Sequence, residues 1–165
     1  MMDFERKVRM LSRSINVVYY IIYLLTIIAV VTIFFLSYGN VKLVEIDPLS
    51  TVGTTISTIY MIYLLISIPA ALFLFHKQTL KLRNEKDEYI KFQKYKKASY
   101  IRLWIIGIAL IIGIILVYVL YSQSMIFTAA IAAIALYFCK PSPAKIIKEL
   151  GLDDDEPKIT GKKYV

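Results

Sequence analysis

The chain has 165 residues, of which 58% are hydrophobic, and carries a formal net charge of +8. Long uncharged stretches hold most of the apolar residues, and this excludes an ordinary soluble domain, whose helices carry charges on a solvent face. The single cysteine excludes an internal disulfide and also a thiol oxidase, which needs a C-x-x-C pair.

The uncharged stretches predict helices that cross a membrane. No Asp, Glu, Lys or Arg occurs at positions 14–41, 48–76 or 103–139. A bilayer core about 30 Å thick needs roughly 20 helical residues. The first two stretches therefore predict one span each, at about 15–36 and 54–75.

The third stretch is long enough for two crossings. A helix over 103–139 would measure about 55 Å at 1.5 Å per residue. The polar run "YSQS" at 121–124 divides it, which predicts spans at about 103–121 and 125–139. The last span is short and requires polar ends that reach the interface or a thinner bilayer. The alternative is one strongly tilted helix, which would give three spans.

The segment between the second and third spans, residues 76–102, is predicted to be helical. It contains no Gly or Pro, so both spans are expected to continue past the membrane as a helical stalk. Asn84 is the expected N-cap of its second half, with Asp87 as the capping partner. Asp87 and Lys91 are expected to pair at a spacing of four residues.

The C-terminal segment, residues 141–165, predicts a short amphipathic helix at 143–150. Ser142 is the expected cap, Pro143 suits a first helical position, and Gly151 ends the helix. Three apolar residues form one edge of this helix: Ile146, Ile147 and Leu150. Because so short a helix does not fold alone, its apolar edge needs a membrane surface, the stalk or another chain. We interpret it as a candidate partner-binding edge. The chain thus divides into a transmembrane domain at 1–140 and a tail.

The distribution of basic residues predicts the orientation. With four spans, the N-terminal segment, the stalk and the tail share one side and hold four, nine and six Lys or Arg residues. The other side holds Lys42 alone. Basic residues are retained in the cytoplasm during insertion, so both termini are expected to be cytoplasmic, with the chain in the plasma (inner) membrane. The expected fold is an all-α, antiparallel bundle of four transmembrane helices.

The run "NEKDEYIKFQKYKKASYIRLWII" at 84–106 interleaves basic and aromatic residues. Such a run is typical of a nucleic-acid surface or of a membrane interface. The topology already accounts for the charges, so we expect no nucleic-acid partner. The expected partners are the lipid bilayer and its anionic headgroups, which attract basic residues near the surface. The predicted membrane-surface cluster comprises Lys91, Lys94, Lys96, Lys97 and Arg102.

Polar side chains mark one face of the first span: Asn16, Tyr19, Tyr23 and Thr26. Polar groups in lipid seek partners on neighbouring helices, so this face indicates either interhelical packing or a path for a small solute. Pro69 in the second span is either a hinge, as in transporters, or a tolerated kink. The predicted spans contain no ionisable residue of the kind that ion-coupled transporters use.

No catalytic, metal or cofactor site is expected from the sequence. His76 is the only histidine, and one histidine without carboxylate or thiolate helpers does not build a metal site. The leading hypothesis is a non-enzymatic accessory, scaffold or self-assembling membrane component whose partner is itself or another membrane protein. The alternative is a small-solute or lipid transporter with a polar path between spans.

Overall fold

The computed structural model describes residues 2–39, 46–85 and 87–152, except for the side chains of residues 2–5. These ranges form α-helices and contain no β-strand, which confirms the expected all-α fold. The helices are α1 (Met2–Tyr38), α2 (Thr51–Arg83), α3 (Glu88–Leu120), α4 (Gln123–Phe138) and α5 (Pro143–Leu150).

Three of these helices, α1, α2 and α3, are long and apolar enough to cross a membrane. The 33 residues of α2 and of α3 correspond to about 50 Å each. With 16 residues, α4 measures about 24 Å, and it qualifies only together with α5, to which it is bent by 78°. The described residues therefore supply three candidate membrane-spanning helices, or four if the bent pair is one span.

The break between α3 and α4 falls inside the predicted polar run. Tyr121 adopts the left-handed conformation with φ 46° and ends α3, and Ser122 precedes α4 in extended backbone. Leu120 and Met125 on either side of the break are fully buried. The single tilted helix across 103–139 therefore does not form, because the chain turns back and packs α4 against α3.

The connection between α2 and α3 differs from the prediction. Asn84 is the C-cap of α2, and Asp87 is the N-cap of α3. The Asp87 carboxylate accepts hydrogen bonds from the Tyr89 and Ile90 amides at 2.9 and 3.3 Å. An ionised acceptor at this position also interacts favourably with the helix dipole. Lys91 Nζ donates to the Arg83 carbonyl at 3.3 Å and so helps to terminate α2.

The central helix of the bundle is α3, which packs against α1, α2 and α4. Within the described ranges, no Cα atom of α1 lies within 8 Å of one in α2 or α4. Small residues permit the close approach to α3. A Cβ atom placed on Gly107 would lie 2.6 Å from the Ile22 side chain, and one on Gly113 would contact the Tyr60 hydroxyl.

One end of the bundle collects nearly all the described charged residues, and we name it the charged end. It contains the starts of α1 and α3, the ends of α2 and α4, and all of α5. Lys7 lies 3.9 Å from the Glu88 carboxylate here. At the opposite end, Asp47 is the one charged residue within the described part of the chain.

Candidate functional site at the charged end

The apolar edge of α5 is covered by the chain itself. Ile146 and Leu150 are fully buried, and α5 packs against α1 and α2. Ile147 is partly exposed. The helix starts where Ser142 Oγ accepts a hydrogen bond from the Lys145 amide at 3.2 Å. The predicted partner-binding edge therefore lies mainly inside the charged end, and Ile147 is its accessible member.

Polar contacts fix α5 to the end of α2 and the start of α3. Tyr95 Oη donates a hydrogen bond to the Glu149 carboxylate. Arg83 Nη2 and Nε donate to the carbonyls of Lys148 and Glu149 at 3.1 and 3.3 Å, which satisfies acceptors that a helix end leaves free. Gly151 ends the helix at φ 65° against the Arg83 side chain. One arginine of α2 thus caps the tail helix.

The Tyr95 phenol stays a donor at neutral pH. Its side chain is buried between α2 and α5, with its ring 5.6 Å from that of Phe75. Burial raises the pKa of Tyr95 far above its ordinary value, and the neighbouring Glu149 carboxylate raises this pKa further. Tyr95 is therefore the neutral donor in its hydrogen bond to the Glu149 carboxylate.

Arg102 is buried where α2, α3 and α4 meet, with 5% of its surface exposed. Its guanidinium stacks on the Phe75 ring at 3.7 Å, a cation–π contact that is strongest when desolvated. Arg102 Nη2 donates to the Cys139 carbonyl at 3.4 Å. Its Nε has no hydrogen-bond partner among the described residues. Arg102 therefore holds helices together and does not face lipid headgroups.

The five residues of the predicted membrane-surface cluster do not share one surface. Lys91 and Arg102 are buried, whereas Lys94 and Lys97 are exposed and Lys96 is half-buried. The reason is helical geometry: residues 11 positions apart return to the same face of a helix, and that face of α3 points into the bundle. Lys96 Nζ lies over the Tyr100 ring at 5.6 Å.

The polar face of the first span forms its hydrogen bonds locally. Asn16 Nδ2 donates to Ser12 Oγ at 3.4 Å, and Thr26 Oγ1 donates to the Ile22 carbonyl at 2.8 Å. Tyr19 is buried and lies against Tyr23, with ring centroids 5.4 Å apart. These contacts stay within α1.

Sequence reasoning missed a cleft between the end of α2 and the start of α3, which we name the lysine cleft. It encloses about 360 Å³, and its lining includes Gln78, Lys81, Leu82, Glu85, Lys94, Lys97 and Ile101. Among the lysines of this cleft, Lys81 lies on α2, and no local sequence pattern connects it to Lys94 and Lys97 on α3. Its place follows from the pairing of α2 with α3, whose only sequence signal is the short connection between them.

A second concavity lies between α2 and α4, away from the charged end. It encloses about 550 Å³ and is mainly apolar, with the hydroxyls of Ser124 and Thr128 on one side and Pro69 on the other. The Thr128 hydroxyl donates to the Ser124 carbonyl at 2.5 Å. The groove therefore offers a surface suited to hydrocarbon.

The described ranges contain no group of three His, Cys, Asp or Glu side chains able to hold a metal ion. His76 is exposed at the charged end, and Cys139 is a buried free thiol. No protein-family model, curated protein or solved structure matches the chain. Its function is therefore inferred from its own residues.

Proposed function

We propose that the chain is a non-enzymatic, multi-pass membrane protein that acts as an accessory, scaffold or self-assembling component through its charged end. The observation that carries the proposal is the fixed tail helix. Tyr95 and Arg83 hold α5 against the stalk by directed hydrogen bonds. The uncharged stretches, in contrast, pack through small and apolar residues. A rigid polar platform on an uncharged bundle suits binding better than chemistry.

The directions of the helices support an antiparallel bundle of four spans with both termini in the cytoplasm. Contacts between α1 and α3 run in the same direction, from Lys7 with Glu88 to Ser14 with Tyr100. Contacts between α3 and α2 run in opposite directions, since Tyr60 meets Ala109 while Arg83 meets Lys91. Basic residues at the charged end then favour the cytoplasmic side.

We expect a reporter that is active only outside the cytoplasm to be silent when it is fused after Val165. The same reporter inserted at Leu49, an exposed residue beyond the other end of the bundle, should be active. The physical reason is retention of the basic stalk and tail during insertion. A strong signal from the Val165 fusion contradicts the proposed topology, and comparable amounts of both fusions on immunoblots provide the control.

We expect a photo-crosslinking amino acid at Tyr89 to form discrete protein adducts in native membranes. Tyr89 lies in the first turn of α3 at the charged end and is 70% exposed. The matched control is Phe127, which is 71% exposed on α4 and should form adducts mainly with lipid. Adducts are resolved by gel mobility and identified by mass spectrometry, and a second copy of the chain counts as a protein partner.

Discrete protein adducts at Phe127 and none at Tyr89 would overturn the proposal that the charged end is the binding surface. Asn16→Ala and Tyr23→Phe should leave the Tyr89 adducts unchanged, because both side chains bond or stack within α1. Loss of the adducts in these span variants, with wild-type protein levels, would also count against it.

The groove between α2 and α4 favours lipid transport as the second candidate function. Its apolar lining and the adjacent Pro69 fit an acyl chain, and they do not provide the polar path expected for a solute. Lipid scrambling by the purified protein in liposomes, lost when Leu65→Trp fills the groove, would place this candidate ahead of the assembly role.

A further inference from the structure

The lysine cleft combines a basic mouth with an apolar lower wall. Lys81 of α2 faces Lys94 and Lys97 of α3 across it. Ile101 forms the wall on the side nearer the uncharged part of α3. Both helices provide the lining, so the cleft exists only where α2 and α3 are packed together.

The charges in the cleft are unbalanced. Lys94 Nζ donates to the Glu85 carboxylate at 3.0 Å, which neutralises one of the three lysines. Neither Lys81 nor Lys97 has an ion-pair or hydrogen-bond partner among the described residues. Two ammonium groups therefore remain for a ligand, together with the Gln78 amide as a neutral hydrogen-bond donor.

The position of the cleft along the bundle indicates what kind of anion it meets. Trp104 lies seven residues beyond Lys97, or about 10 Å along the helix, and tryptophan prefers the headgroup layer. Exposed apolar residues continue from the cleft along both helices, with Leu74 on α2 and Ile108 on α3. A ligand with a charged head and hydrocarbon tails matches this sequence of surfaces.

We infer that the lysine cleft binds the phosphate of an anionic phospholipid between Lys81 and Lys97, with the acyl chains along Leu74, Trp104 and Ile108. Basic pockets between transmembrane helices on the cytoplasmic side recognise such headgroups. The inference rests on the proposed topology, which places the charged end at the cytoplasmic leaflet. It does not depend on the protein partner of the chain.

A neighbouring cleft between α1 and α3 shows what distinguishes the lysine cleft. That cleft also contains two lysines, Lys7 and Lys96. Lys7 lies 3.9 Å from the Glu88 carboxylate, and Lys96 stacks over Tyr100. Because these ammonium groups already have partners, Lys96→Gln is the matched control for changes in the lysine cleft.

Trp104, the only tryptophan of the chain, is a built-in probe for the test. The full-length protein is reconstituted into phosphatidylcholine vesicles that contain increasing amounts of brominated phosphatidylglycerol, and quenching of Trp104 is measured. Brominated phosphatidylcholine provides the zwitterionic reference. We expect the anionic lipid to be preferred at least about fivefold, since each lysine near the surface attracts anionic lipid appreciably.

The double variant Lys81→Gln/Lys97→Gln should reduce the preference to about one, while Lys96→Gln should retain most of it. Glu85→Gln releases Lys94 and should raise the preference above that of the wild type. Equal preference in the wild type and the double variant overturns the inference, as does an equal loss in Lys96→Gln. If the lipid preference is absent and the reporter fused after Val165 is silent, the lipid site is refuted but the topology stands. If the Val165 reporter is active, the proposed topology on which the lipid site rests is refuted.

Discussion

Gly113→Ala should destabilise the bundle by about 1–3 kcal/mol, the usual cost of overpacking a core. A Cβ atom at this position would contact the Tyr60 hydroxyl and lie 3.4 Å from the Ala129 Cβ. The hydroxyl has little freedom to move, because Tyr60 is 4% exposed and donates to the Ala109 carbonyl at 2.9 Å. The midpoint temperature of thermal unfolding in mild detergent measures the effect.

The direction of the stability change tests whether position 113 is closely packed, because Gly→Ala in an unobstructed helix interior is stabilising by about 1 kcal/mol. Tyr60→Phe alone should lower the stability by about 1 kcal/mol, because it removes the hydrogen bond to the Ala109 carbonyl. In the double variant, removal of the hydroxyl makes room for the new methyl group, so the two losses should not add. Ala130→Leu on the exposed face of α4 is the control. A Gly113→Ala protein as stable as the wild type would contradict the observed packing.

Leu150→Asp should release the tail helix from the stalk. Leu150 is the last residue of α5, and its side chain is fully buried. Burial of a leucine contributes about 1.5–3 kcal/mol to stability. A buried carboxylate adds a desolvation penalty. We expect amide hydrogen exchange in the peptide covering α5 to accelerate by more than about tenfold, which corresponds to 1.4 kcal/mol, while exchange in the membrane helices changes little.

Two further Asp variants on α5 are the controls for the exchange result. Ala144→Asp adds the same charge at an exposed position in the first turn of α5, where the helix dipole favours it, and should leave exchange unchanged. Ile147→Asp should have an intermediate effect, because Ile147 is only partly buried. Unchanged exchange in Leu150→Asp would show that α5 is not held by its apolar edge, and equal acceleration in all three would point to a general effect of charge.

The helices were accessible to sequence reasoning because each depends on local chemistry. Uncharged stretches predicted apolar helices, and the run at 121–124 predicted the break that Tyr121 makes. The capping residues Ser142 and Gly151 lie at the expected ends of α5. Asp87, not Asn84, is the N-cap of α3, and Asn84 instead ends α2. This was missed because both are good capping residues and only the geometry of the connection selects between them.

The charged end was less accessible because its contacts join residues far apart in the chain. Tyr95 and Glu149 are 54 positions apart, and Arg83 and Lys148 are 65 apart. Their pairing requires the register of α2 on α3 and the docking of α5 on both the stalk and α1. The same limit explains why Arg102, predicted to lie at the membrane surface, is buried on Phe75.

The central position of α3 determines the order in which the protein can be assembled as it is synthesised. The ribosome releases α1 and α2 first, but in the described ranges no Cα atom of one helix lies within 8 Å of the other. Each of them packs against the later helix α3, so we expect both to await its synthesis. A chain that ends before Glu88 lacks the helix on which both of them pack, so we expect residues 88–120 to bring α1 and α2 together.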